Sequence, residues 1–157
     1  MSFKIERYKN WKELIDEREF HFGDIYKIND KLISLPMSDR IEGGRNYHPE
    51  RWIVVISNNE ENYHPLCPVV TVAPLSHRTD LKRPFDLELF KERDDVKYDC
   101  LLSLQAKQSI LKVDLHEYKG SISYEKKEEL LALIAMYYGL DEDDNNNTEN
   151  EEDIEAD

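Results

Sequence analysis

The sequence predicts a mainly β domain with flanking helices, of the α+β class: a small β-barrel with an N-terminal helix, a C-terminal helix and a disordered acidic tail. Three observations carry this. Five or six short apolar runs are β-branched or alternate with polar residues, as strands require, and polar turns separate them. Two stretches outside these runs space their apolar residues as helices do. The last stretch, 141–157, is nearly devoid of apolar side chains. At 157 residues and 39% hydrophobic content, the chain suffices for one domain with a real core.

In chain order, "KIERYKNWKELIDEREF" places Ile5, Tyr8, Trp11, Leu14, Ile15 and Phe20 at mostly helical spacing, which predicts a helix from about Glu6 to Glu19. The period then changes. "HFGDIYKIND" predicts a first strand after a turn at Gly23 and Asp24. A polar connection from Asn29 to Glu50 follows, and connections longer than about 12 to 15 residues are usually functional or disordered. It leads into "RWIVVISNN", where Ile53 to Ile56 are wholly apolar and β-branched, so the strand is expected to be covered on both faces. Arg51 stands where this rigid element leaves the core.

A second apolar strand runs from about Val69 to Pro74 and ends at Leu75, Ser76 and His77. "PFDLELF" sets Phe85, Leu87 and Leu89 against Asp86 and Glu88, which predicts a half-exposed strand. "YDCLLSLQAKQSILKVDL" supplies one or two more, bending near Gln105 to Gln108. "SISYEKKEELLALIAMYYGL" then predicts a helix with Ser123 as N-cap, an apolar face from Leu130 to Tyr138, and Gly139 as its stop. The expected organisation is therefore a helical extension over 1–21, a barrel domain with its C-terminal helix over 22–140, and a tail over 141–157.

The formal charge is −13, which argues against a nucleic-acid ligand unless the charges are segregated. They are. Residues 141–157 hold 10 of the 34 acidic groups and no basic one, leaving 24 acidic against 21 basic groups over 1–140. Cys67 and Cys100 make no disulfide framework and are expected to be buried, reduced thiols. No secretory leader pattern and no apolar run near 20 residues is present, so a soluble cytoplasmic protein with no membrane partner is expected. No cysteines or histidines have zinc-ligand spacing, and no glycine loop suits a phosphate; no cofactor or metal is expected.

The motifs occur in a telling order. A Gly-Asp-Ile opening strand, a long loop, an Arg starting a β-branched strand that ends Ser-Asn, a strand ending Ala-Pro-Leu-Ser, a Pro-Phe-Asp-Leu-Glu-Leu strand, a Leu-Leu-x-x-Gln segment and a Leu-rich final helix together resemble the MazF/PemK family of toxin endoribonucleases. The resemblance covers Phe22 to about Leu140. It implies an SH3-like barrel that forms a homodimer, cuts single-stranded RNA without a metal, is silenced by an antitoxin protein, and reaches DNA through the antitoxin complex. It also implies that Arg51 is the catalytic arginine, that Ser76 contacts the reacting phosphate, that Gln105 contacts RNA or supports a loop, and that Gly23 and Asp24 form a structural turn. Three features depart from the family pattern: Trp52 replaces the usual proline, the loop before Arg51 is long, and the chain is acidic.

Chemistry agrees with those roles. RNA is cut when its 2′-hydroxyl lies opposite the leaving 5′-oxygen, so a protein needs only to position the phosphate and stabilise its charge. A guanidinium offers forked donors and stays protonated, since its pKa exceeds about 12. Ser76 can donate one hydrogen bond but has no histidine and acid partner at motif spacing, which disfavours a nucleophile. His48 and His77 are candidates for acid or base, against the competing reading of ordinary surface histidines. Tyr47 and Trp52 could stack on an unpaired base, although Trp52 begins an apolar strand and has core packing as its competing role. Arg45 and Arg78 are candidate RNA contacts, Arg78 belonging to a basic group with Lys82 and Arg83. Two other classes stay open: a non-catalytic module binding nucleic acid or peptide, and an interaction protein acting through its acidic tail.

Overall fold

The computed structural model describes residues 5–140. The segment 141–157, expected to be a disordered tail, lies outside the described residues. The chain divides into two compact units, at Ser123 and Tyr124.

The first unit carries seven antiparallel strands: β1 (Asp24–Ile28), β2 (Arg51–Val55), β3 (Val69–Ser76), β4 (Asp86–Leu89), β5 (Cys100–Ser103), β6 (Gln108–Leu111) and β7 (Leu115–Ser121). Their order is β4-β5-β3-β2-β1-β7, with β6 also pairing β3. The long β3 makes this possible. Its first half, Val69 to Val72, pairs with β6, and its last residues, Leu75 and Ser76, pair with β5. The sheet therefore curls around its core, and no ladder joins β4 to β7 among the described residues. The mainly β, α+β architecture is the one expected.

Strand β2 is the centre of the core, because its β-branched residues suit a pleated surface buried on both faces. Ile53, Val54 and Val55 are fully buried, and Phe20, Ile28, Val72 and Leu115 pack in one cluster with Ile53 and Val55. Each such side chain contributes about 1.5–3 kcal/mol by leaving water. Gly23 adopts φ +91°, which favours glycine, and its N–H donates to Val55 O at 2.7 Å. The buried Asp24 carboxylate closes the same turn by accepting from His21 N at 2.9 Å.

The N-terminal helix expected over Glu6 to Glu19 is reduced to a single 3₁₀ turn, Trp11–Leu14, capped by Asn10. Its apolar stripe has nothing to cover: Ile5, Trp11 and Ile15 are exposed. Tertiary contacts instead hold the segment extended. Arg18 donates to Leu115 O and Lys112 O, each at 2.8 Å, and lies 4.9 Å from the Phe20 ring centre. Tyr8 donates its hydroxyl hydrogen to Asp114 at 2.7 Å. Strand β4 also departs from simple alternation. Asp86, expected on the outer face, is buried because its carboxylate accepts from Arg83 N at 2.9 Å.

The connection 29–50 is ordered by local structure: a 3₁₀ turn at Asp30–Leu32 and the short helix α1 (Pro36–Asp39). Gln108 pins it to the sheet, accepting from Ser34 N and donating to Ser34 O at 2.9 Å each. A second short helix, α2 (Asn59–Tyr63), follows β2. In the second unit, α3 (Tyr124–Tyr137) starts directly after Ser123, and Gly139 N donates to Met136 O at φ +74°. Along its expected apolar face, Leu130 is buried whereas Leu131, Met136 and Tyr138 are exposed.

Candidate functional site

Antiparallel pairing of β1 with β2 sets Ile28 opposite Arg51, so the chain leaving β1 passes the guanidinium at once. Asp30 is the residue that meets it. Its carboxylate is fully buried and accepts from Arg51 Nε at 2.6 Å and from His48 N at 3.0 Å. Arg45 Nη1 lies 3.4 Å from the same carboxylate, and Arg45 Nε lies 2.9 Å from Asp39. Burial alone would push the Asp30 carboxyl up; the Arg51 hydrogen bond, the His48 N–H and the two guanidinium charges outweigh it and hold it below the usual carboxylate range. Such a pair, taken out of water, fixes geometry strongly.

Arg51 has a second anchor. Its Nη1 donates to Leu75 O at 3.0 Å, on the strand that carries Ser76. The β2–β3 register, with Ile53 opposite Pro74, brings Arg51 opposite Ser76 when continued by two residues. Nε and Nη1 are thus engaged, and Nη2 has no hydrogen-bond partner among the described residues. The Ser76 hydroxyl accepts from Arg78 N at 3.2 Å, which leaves its own hydrogen to donate.

Both side chains line a cleft of about 690 Å³. Lys27, Arg78 and Lys97 add positive charge to it, and Glu50 is the carboxylate on its wall. His48, His77, Trp52 and Tyr98 supply rings. The His77 ring meets Tyr98 edge-on at 5.1 Å, and Lys97 Nζ lies 5.5 Å from the Tyr98 ring centre. Trp52 is half-buried and stays out of the core cluster. A basic, ring-lined cleft on an acidic chain is suited to a single-stranded nucleic acid, whose phosphates and unpaired bases need those two surfaces.

Several cations are matched by carboxylates. Arg78 pairs with Asp80 at 3.1 Å; Lys27 lies 3.2 Å from Glu117 and 3.5 Å from Glu50. The Glu117 hydrogen bond keeps the Lys27 ammonium above its ordinary value. Cys100 also borders the cleft, but burial, with Asp94 and Asp99 nearby, pushes its thiol up to about 12, so it is no nucleophile at neutral pH.

The structure brings Arg51, Ser76, His48, His77, Trp52 and Arg78 to one cleft wall. Other expected residues fall elsewhere. Arg45, expected to reach RNA, is turned inward, its side chain 9% exposed and donating to Asp30 O and Ile33 O; it supports the loop beneath the cleft. Tyr47 stacks over Arg45, 4.7 Å from its guanidinium carbon, and Gln105 is exposed on the 3₁₀ turn after β5; neither lines the cleft. Gln108, three residues on, makes the loop-supporting contacts. Sequence reasoning missed Asp30, Lys97 and Tyr98. No local pattern marks Asp30, whose place beside Arg51 follows from the β1–β2 pairing that sets Ile28 opposite Arg51. Among the described residues no group of three His, Cys, Asp or Glu is placed to hold a metal ion.

The model of PemK-like, MazF-like toxins of type II toxin-antitoxin systems matches residues 23–137, and the chain belongs to this family. Solved structures share the fold at low identity. An endoribonuclease in complex with its cognate antitoxin, from Mycobacterial species, matches with TM-score 0.55 at 16% identity, covering 78% of this chain and 95% of that one. The Mycobacterium tuberculosis toxin MazF-mt6 matches with TM-score 0.54 at 15% identity, over 74% and 97%. A MazE-MazF structure from Deinococcus radiodurans matches with TM-score 0.51 at 13% identity, over 80% and 97%. No curated protein matches.

Proposed function

We propose that this protein is the toxin of a toxin–antitoxin pair and a metal-independent endoribonuclease, with Arg51 and Ser76 at the reacting phosphate of single-stranded RNA. The reading rests above all on one observation: the Arg51 guanidinium is fixed at two points, Asp30 and Leu75 O, beside Ser76 in a basic cleft.

The chemistry follows from that placement. The substrate's own 2′-oxygen attacks phosphorus, forming the P–O2′ bond while the P–O5′ bond breaks. The products are a 2′,3′-cyclic phosphate and a 5′-hydroxyl. The nucleophile is supplied by the RNA, so the reaction asks the protein for alignment, charge stabilisation and proton transfer. Arg51 Nη2 donates to a non-bridging oxygen as negative charge grows there, and Ser76 Oγ donates to the other. Nε and Nη1, held by the protein, keep that donor from reorganising during the reaction. His48 and His77 line the cleft beside the pair, one to take the 2′ proton and one to protonate the leaving oxygen. Tyr98 stacks on a splayed base, and Lys27, Arg78 and Lys97 track the backbone.

A homodimer acting in the cytoplasm and an antitoxin partner belong to the same reading. Two of the similar structures are a complex with a cognate antitoxin and a MazE-MazF structure. Among the described residues, no helix is long and apolar enough to cross a membrane. An antitoxin segment would compete with RNA for the basic cleft.

One observation favours a non-catalytic binding module instead: Asp30 already neutralises Arg51 in the free protein. The two readings separate in one assay. Long unstructured RNA incubated with the protein and a chelator should yield discrete fragments ending in cyclic phosphate. Intact RNA at high protein concentration, with binding retained, would establish the module.

A further inference from the structure

A second cleft, of about 540 Å³, adjoins the first and shares Lys27, Trp52, Val96 and Lys97 with it. Lys91 and Lys119 complete its basic lining. Its two acids are already committed to the backbone. Asp94 accepts from Phe90 N at 2.9 Å and from Ser123 N at 2.8 Å, and Asp95 accepts from Ser121 N at 2.9 Å. Two features mark where a ligand's parts would go. Lys119 Nζ lies 5.3 Å from the centre of the Trp52 ring, so an ammonium and an aromatic face stand together. The exposed Glu117 carboxylate bridges two ammoniums, lying 3.2 Å from Lys27 and 3.3 Å from Lys119.

We propose that this cleft is a nucleotide subsite flanking the cleavage position, in which a base stacks on Trp52 and its phosphate replaces the Glu117 carboxylate between Lys27 and Lys119. The proposal rests on the nuclease reading of the adjoining cleft. Glu117 marks the anion position because a carboxylate already sits there. It is displaceable because its side chain is 60% exposed, and an exposed pair of this kind is weakly held. A phosphate brings more charge and more acceptor oxygens to the same two lysines, and stacking accepts any base through its π-face. The subsite would lengthen the stretch of RNA the toxin grips and set a preference for bases that stack well.

The test uses the full-length protein and fluorescent 2′-O-methyl oligoribonucleotides of two to eight nucleotides, which lack the attacking hydroxyl and report binding without cleavage. Affinity should rise by about tenfold at the length that fills the second cleft, the order expected for one stacked base. Lys119→Glu should abolish that step and spare the shortest oligomers, whereas Glu117→Gln should enlarge it. The chain has two tryptophans, so in a Trp11→Phe variant the indole emission reports Trp52 alone and should be quenched only by the longer oligomers. Smooth length dependence, equal losses for short and long oligomers in Lys119→Glu, or unchanged Trp52 emission on binding would each overturn the subsite. If RNA is cleaved while these signals are absent, only the subsite fails; if no oligomer binds and no RNA is cut, the nuclease reading fails with it.

Discussion

Asp30 Oδ1 lies 2.6 Å from Arg51 Nε, and the carboxylate is fully buried while the guanidinium is 17% exposed. The acid is inside and the base reaches outward, so the pair works as a mount: the buried end fixes the orientation and the outer nitrogen faces the cleft. Removing one partner of such a pair leaves an uncompensated charge, which costs about 3–5 kcal/mol. Asp30→Asn should therefore lower stability by roughly that amount, read as a lower urea midpoint with an unchanged slope.

The same carboxylate gives a pH dependence whose sign is fixed. Its folded value lies below the ordinary one, through Arg51, His48 N–H and Arg45 against the opposing effect of burial. Its contribution to stability is thus complete above about pH 4, the unfolded value, and is lost as pH falls through the folded value. Denaturation midpoints should fall below about pH 4 in the wild type, and fall less steeply in Asp30→Asn.

Ser76 donates one neutral hydrogen bond in the proposed reaction and attacks nothing. Ser76→Ala should lower kcat by about 10²-fold at little change in KM, as loss of one transition-state donor does. A complete loss of cleavage, or a covalent adduct at position 76, would assign it a nucleophilic role instead.

Arg78 is held by Asp80 at 3.1 Å on the exposed turn beyond β3. An RNA phosphate must displace that carboxylate. Asp80→Asn should raise RNA association at low salt, with the gain fading as ionic strength increases. Filter binding across a salt series reads both effects.

The sequence carried the fold through patterns that burial enforces. The β-branched run of β2 is a consequence of the core, so residues alone revealed it, and the motif order revealed the family. The N-terminal segment misled because helical spacing is only a stripe until something covers it. Here Arg18 and Tyr8 bond to distant backbone and side chain, Phe20 alone of the stripe enters the core, and Ile5, Trp11 and Ile15 stay in water. Arg51 and Ser76 could be singled out as candidates because the motif order marks them and each lies at a strand terminus, Arg51 opening β2 and Ser76 closing β3. Asp30 could not, because its role depends on β1–β2 pairing, and Arg45 was misplaced because a loop guanidinium gives no sign of which way it turns. Lys97 and Tyr98 come to the cleft from a turn after β4 that no local pattern connects to β2.

The most direct test of the account is the single-turnover cleavage rate of long unstructured RNA, with chelator present, for wild type, Arg51→Ala and Arg51→Lys. A point charge on a flexible stem cannot reproduce a fork fixed by Asp30 and Leu75 O. Both variants should lose at least about 10²-fold in rate while retaining the wild-type fold by circular dichroism. Cleavage within a few-fold of wild type in folded Arg51→Ala would contradict the central claim that this anchored guanidinium stabilises the reacting phosphate.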